Sequence, residues 1–140
     1  MAETAPPRLA VGAVVVEDDR LLMVRRGRGA AAGEWSVPGG RLEWGETMAE
    51  ALVREVHEET GVEVVCEELL GWVERIDDEH HFVIFDFCAR ALDVVEPTAG
   101  DDAVEAAWVP LHQVPELNLV RGLGEFLAAH KVIQAYAADG

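Results

Sequence analysis

The stretch from Gly40 to Val62, GRLEWGETMAEALVREVHEETGV, constrains this chain most, because three of its carboxylates are spaced so that only a helix gathers them. Glu55, Glu58 and Glu59 stand at i, i+3 and i+4, and at about 100° per residue they share an arc of roughly 100°. Three like charges within one turn repel unless something positive sits among them. Both ends of the helix are signalled: Thr47 followed by Glu50 is a capping box, and Gly61 supplies the left-handed residue that ends it. Met48, Leu52 and Val56 form an apolar stripe, with Ala49, Ala51 and Val53 beside it. Glu59 projects from that stripe, where an unpaired carboxylate is costly or gives up its charge. A divalent metal ion removes the difficulty. The plain structural alternative is a solvated acidic face steadied by pairs such as Glu50 with Arg54.

The wider pattern decides between them. Gly40, then Glu46, then Arg54-Glu55-Val56-His57-Glu58-Glu59-Thr60-Gly61-Val62 resembles the Nudix box of the MutT-like Nudix hydrolases, with every specified position filled. The resemblance implies an α/β fold, the Nudix-type α/β/α sandwich with a central mixed β-sheet. It also implies a metal-dependent pyrophosphohydrolase. Carried over residue by residue, it makes Glu58 and Glu59 metal ligands and Glu55 a ligand or general base. Arg54 then orients a carboxylate through a salt bridge, and Glu46 plays a supporting part, with Gly40 and Gly61 shaping the box. The backbone carbonyl near Gly39 is a further implied ligand. A loop carboxylate completes the set, from among Asp101, Asp102 and Glu105, with Asp102 ranked first.

Hydrolysis of a pyrophosphate asks water to attack phosphorus beside negatively charged oxygens, and a divalent ion answers both needs. Hard oxygen ligands suit Mg²⁺, with Mn²⁺ able to substitute. The expected substrate is a small nucleotide. PGGRLEWGE together with GDDAVEAAWVPL leans toward a (deoxy)nucleoside triphosphate or ADP-ribose. Asp77 to His80, where family subgroups differ, offers neither the proline nor the tyrosine that marks two of them. A nucleotide-sensing module is the alternative, although such domains usually lose a box carboxylate and none is lost here. An isoprenoid diphosphate isomerase would need catalytic residues outside the box that are not seen.

Half of the 140 residues are hydrophobic, which suffices for one good core and so one domain, with residues 1–8 flexible. The formal net charge of −16 argues against intact DNA or RNA and against an anionic membrane as partners. No apolar run approaches the length of a membrane span, and the first residues carry no signal-peptide core. Cys66 and Cys88, isolated in apolar surroundings, read as small buried hydrophobes in a reducing compartment. A cytoplasmic protein follows. Trp72 and Trp108 look exposed on so small a domain, which suggests a homodimer, as the family often forms.

In chain order, Leu9 to Glu17 reads as a strand buried on both faces, Asp18-Asp19 as a turn and Arg20 to Arg25 as a second strand. Arg25, Arg26 and Arg28 make either a solubilising loop or a contact to a substrate phosphate. Arg25, Arg26, Trp35 and His81 are the candidate substrate-binding residues. Pro38-Gly39-Gly40 signals a turn. Trp44 beside it is either a lid over the core or a stacking platform for a base. Val62 to Arg75 and His80 to Leu92 read as a hairpin turning at Asp77-Asp78-Glu79, with His80 and His81 at its solvated end or lining a cleft. Glu96 to Asp102 is a loop, and Val120 to Ala137 reads as a C-terminal helix packed on the sheet.

Overall fold

The computed structural model describes residues 5–29, 31–100 and 102–137. The expected flexible start falls partly outside the described residues, and at its other end Arg8 already opens a strand. The apolar run is β1 (Arg8–Glu17), buried from Ala10 through Val15 as a strand covered on both faces should be. Asp18 and Asp19 adopt φ of 52° and 59°, the left-handed geometry of a tight hairpin that acidic side chains tolerate. The chain then returns antiparallel as β2 (Arg20–Arg26).

Beyond their shared turn β1 and β2 part company. They pair only at Val16–Leu21 and Glu17–Arg20. The rest of β1 lies between β4 (Gly39–Arg41), antiparallel, and β6 (His81–Ala91), parallel from Arg8 to Val15. The rest of β2 lies between β3 (Trp35–Ser36) and β7 (Ala103–Pro110). On the far side of β6, β5 (Val64–Ile76) is an edge strand joined to it as the expected hairpin. The mixed sheet is therefore split, and the divergence of β1 from β2 opens a cleft between its halves.

Strand alternation supplies the two faces. Val11, Ala13, Val15 and Leu22 meet Ala51, Leu52 and Val56 of α1 (Met48–Thr60) on one side. Val14, Leu21 and Met23 meet Leu123, Phe126 and Leu127 of α2 (Leu123–Ala129) on the other. This is the expected α/β/α sandwich. The capping box is formed: the Thr47 hydroxyl accepts the Glu50 N–H at 3.1 Å, and the Glu50 carboxylate accepts the Thr47 N–H at 2.8 Å. Gly61, at φ 74°, closes the helix by donating its N–H to His57 O at 2.8 Å.

Several expectations need correction. At the Pro-Gly-Gly break the chain passes from β3 to β4 through Val37 and Pro38, and Gly39 and Gly40 already belong to β4. The C-terminal helix is only two turns long. Lys131 takes φ 62°, Val132 N–H bonds back to Leu127 O at 2.9 Å, and the chain reverses. Ile133 is still buried, and the Tyr136 ring lies on the bare face of Gly124, so the periodic apolar residues cover the core by folding back. Trp108 is buried, donating its indole N–H to Val95 O at 2.8 Å, whereas Trp72 is 58% exposed. Trp44 is fully exposed and covers no core. Cys66 and Cys88 are free and half-buried, and burial raises both thiols. Among the described residues no helix is long and apolar enough to cross a membrane.

Candidate active site

The site is built outward from Arg54 on α1. Its guanidinium grips Glu46 with two bonds, Nη2 to Oε1 at 2.6 Å and Nε to Oε2 at 3.1 Å, which folds the loop ahead of the helix back onto it. Glu46 also accepts the Glu43 N–H at 2.8 Å. The remaining donors reach Glu55 Oε1 at 2.7 Å, Glu58 Oε2 at 3.3 Å and the Arg41 carbonyl at 3.2 Å. One cation thus hydrogen-bonds three carboxylates and a strand of the sheet, with Glu43 a fourth carboxylate at 3.8 Å. The hydrogen bond from Arg54 holds Glu46 below the usual carboxylate range, and Glu46 in turn strengthens the hold of Arg54 on its proton. Glu50, the partner that a solvated face would have given Arg54, is occupied at the cap.

Glu59 points the other way. Its Oε1 accepts the Gly39 N–H at 2.7 Å. Burial pushes its pKa up to about 7 against the pull of that N–H, with Glu55 and Asp102 adding to the rise and Arg26 opposing it. Burial also raises Glu55, with Arg54 opposing. Two glycines make these placements possible. A Cβ at Gly40 would collide with the Glu55 carboxyl, and one at Gly39 would strike the β1 backbone at Val11.

The loop after β6 is fastened to the end of α1. Thr98 N–H donates to Thr60 O at 2.8 Å and Gly100 N–H to Glu59 O at 2.9 Å, with Gly100 lying flat on the helix backbone where a Cβ would not fit. Asp102 is thereby delivered to the box. Its carbonyl accepts the Gly27 N–H at 2.9 Å, and its carboxylate lies 3.3 Å from Arg28 Nε. Glu55, Glu58, Glu59, Asp102, Gly39 and Arg26 all line one cleft of about 970 Å³.

Other expected residues do not reach it. Along β2, Val24 and Arg26 face the cleft, so Arg25 and its cross-strand neighbour Trp35 face away. Arg25 instead meets Glu105 at 3.3 Å, which removes Glu105 from the site as well. On β6, Phe82, Ile84 and Asp86 line the cleft; His81 does not, although its partner Glu74, 3.4 Å away, does. His80 sits in the solvated turn, its N–H donating to Asp77 at 2.6 Å. Asp101 lies outside the described residues. The cleft also holds residues with no distinguishing signal in the sequence, namely Asp86, Arg41, Arg75 and Arg121.

A family model described as NUDIX domain matches residues 6–130. The chain belongs to the NUDIX domain family. It is 49% identical over 140 residues to a MutT-like protein of Streptomyces ambofaciens, covering 91% of this chain and 87% of that one. It is 37% identical over 115 residues to an ADP-ribose pyrophosphatase of Methanocaldococcus jannaschii, covering 79% of this chain and 66% of that protein's length. Among solved structures it is similar to a MutT NUDIX hydrolase from Burkholderia pseudomallei, with a TM-score of 0.76, 32% identity, and coverage of 88% and 97% of the two chains.

Nudix hydrolases generally use divalent metal ions, and the donors here fit that use without forming a ready cage. Among the described residues no three His, Cys, Asp or Glu side chains stand in a ligating arrangement, because Arg54 holds Glu55 and Glu58 while Gly39 holds Glu59. The donors are hard oxygens, and the two most buried resist ionising without a further cation.

A pH dependence follows for the metal-free protein. With its pKa raised from 4.5 to about 7, Glu59 makes the folded state hold more protons than the unfolded state between those values. Stability must therefore fall as pH rises through that window, by roughly 3 kcal/mol at most. Asp86, raised from 3.8 to about 6 by burial, acts in the same sense over its own range. In EDTA, melting temperatures from pH 5 to pH 8 should decline less steeply for Glu59→Gln than for wild type. Parallel curves would contradict the burial assigned to Glu59.

Proposed function

We propose that this chain is a metal-dependent pyrophosphohydrolase that cleaves the diphosphate link of a nucleoside diphosphate derivative, either a (deoxy)nucleoside triphosphate or ADP-ribose. The observation that carries this reading is the meeting of Glu55, Glu58, Glu59 and Asp102 with Arg26 in one cleft that continues between apolar walls. The name of the archaeal relative supports ADP-ribose as one of the two substrates. A nucleotide-sensing module is the weaker reading, since every box carboxylate is present.

Glu58, Glu59, Asp102 and the Gly39 carbonyl are the donors that would hold Mg²⁺, or Mn²⁺ in its place; the ion when bound neutralises phosphate oxygens and acidifies water. Arg26, Arg41, Arg75 and Arg121 bind the phosphates and offset their charge. Water forms a P–O bond as the bridging P–O bond breaks, and the phosphate on the far side departs as the leaving group. Glu55, seated against Gly40, receives the proton that water loses. Arg54 holds Glu55 in position for that transfer.

Turnover should therefore require added Mg²⁺ and should be higher at alkaline than at neutral pH, where Glu59, raised to about 7, retains part of its proton. Excess EDTA should abolish release of nucleoside monophosphate from a nucleotide panel while the protein stays folded, as followed by chromatography and thermal melting. Full turnover in EDTA would contradict the reading, and binding without turnover on any member would favour the sensor.

The proposed assembly is a homodimer, supported by Leu69, Trp72 and Ile76, which are exposed on the edge strand β5. Light scattering should give twice the 15.3 kDa chain mass at micromolar concentration. A mass of one chain across that range would end the proposal.

A further inference from the structure

Among the carboxylates that would hold the metal ion, Asp102 alone comes from outside α1. Its side chain is 73% exposed, and its ionic partner among the described residues is the equally exposed Arg28 at 3.3 Å. An exposed pair of that kind supplies little restraint. Where the carboxylate can reach is therefore decided by the backbone on either side of it. That backbone is anchored twice. Before Asp102, Gly100 N–H donates to Glu59 O at 2.9 Å and Thr98 N–H to Thr60 O at 2.8 Å. Both acceptors belong to the last turn of α1, whose carbonyls have no partner within the helix, so the loop completes the helix end. At Asp102 itself, the carbonyl accepts the N–H of Gly27, the residue after β2, at 2.9 Å. The two anchors lie on different parts of the split sheet: α1 packs chiefly on β1, β4 and β5, whereas Gly27 continues β2.

Both anchors depend on a missing side chain. A Cβ at Gly100 would overlap the Glu58 carbonyl oxygen and stand 3.1 Å from Glu59 Cα. A Cβ at Gly27 would stand 3.0 Å from Val104 Cγ1 and 3.2 Å from the Asp102 carbonyl oxygen. Neither glycine takes a left-handed φ, so space and not backbone conformation excludes the side chain. Resting on the reading of Asp102 as a metal ligand, we propose that Gly100 and Gly27 are positioning residues for the metal site, holding Asp102 within reach of the ion that Glu58 and Glu59 bind. Glu59 serves twice, with its carboxylate toward the cleft and its carbonyl toward Gly100. A side chain at Gly100 lifts the loop off α1 and carries Asp102 away from the helix ligands. A side chain at Gly27 displaces Asp102 less, because its shortest contact is with a valine methyl that can rotate aside.

Mn²⁺ binding to the folded protein, followed by electron paramagnetic resonance without substrate, tests this through double-mutant cycles. Gly100→Ala should weaken Mn²⁺ binding by about 10- to 100-fold and Gly27→Ala by about 3- to 10-fold, as when the support of a metal ligand is disturbed. In an Asp102→Asn background neither substitution should cost more than about 2-fold further, because both act through that one carboxylate. Additive losses would overturn the proposal, since the glycines would then serve the helix ligands or the fold at large. Unchanged affinity in both single variants would overturn it too. An Asp102→Asn variant that binds Mn²⁺ as wild type does would instead refute the ligand assignment beneath it, and a wild type that binds no Mn²⁺ would refute the metal reading. If Gly100→Ala fails to melt cooperatively, the cycle with Gly27→Ala decides.

Discussion

The guanidinium of Arg54 offsets part of the charge that α1 concentrates on one face, and it does so with directional bonds that also set the shape of the site. Its fork on Glu46 brings the box loop onto the helix, its bond to Glu55 turns that carboxyl toward Gly40, and its reach to the Arg41 carbonyl ties the helix to β4. A lysine carries the same charge without the fork and could make only part of this network. Glu59, beyond the reach of this network, depends on a single backbone N–H, and burial raises its pKa further than any other carboxylate's in the box.

The split sheet gives that cluster its use. Had β1 and β2 stayed paired along their length, Val24 and Arg26 would have no open space between them and Gly12 and Asp86. The divergence after the Asp18-Asp19 turn creates a cleft with the charged box at one part of its wall and apolar residues from β6 and α2 at another. Charged and apolar surface lie within one cavity. The loop fastened by Thr98 and Gly100 adds Asp102 without needing a helix or strand of its own.

Much of this was legible in the chain because its signals are local. Thr47, Glu50 and Gly61 mark helix ends through contacts within a few residues, and the apolar face of α1 follows from a period that the sequence displays. Arg25 and Arg26 illustrate the limit: one step along a strand reverses the face, and only the pairing with Trp35 and Glu105 reveals which arginine enters the cleft. Asp86 was hidden for a related reason, since HFVIFDFCARAL alternates too loosely to assign faces and the facing glycine is far away in sequence. The C-terminal periodicity was real in its apolar residues and misleading in its shape. A left-handed Lys131 and a ring seated on Gly124 let a reversed chain bury residues that a continuous helix would also have buried.

In the proposed reaction Arg54 holds Glu55 ready to take a proton, and the pH–rate profile of Arg54→Lys tests that role. Losing the guanidinium bond should raise the pKa of Glu55, so the acid limb of kcat/KM should move to higher pH, with turnover at the optimum reduced by about 10- to 100-fold. A variant with an unmoved acid limb and near-normal turnover would contradict it.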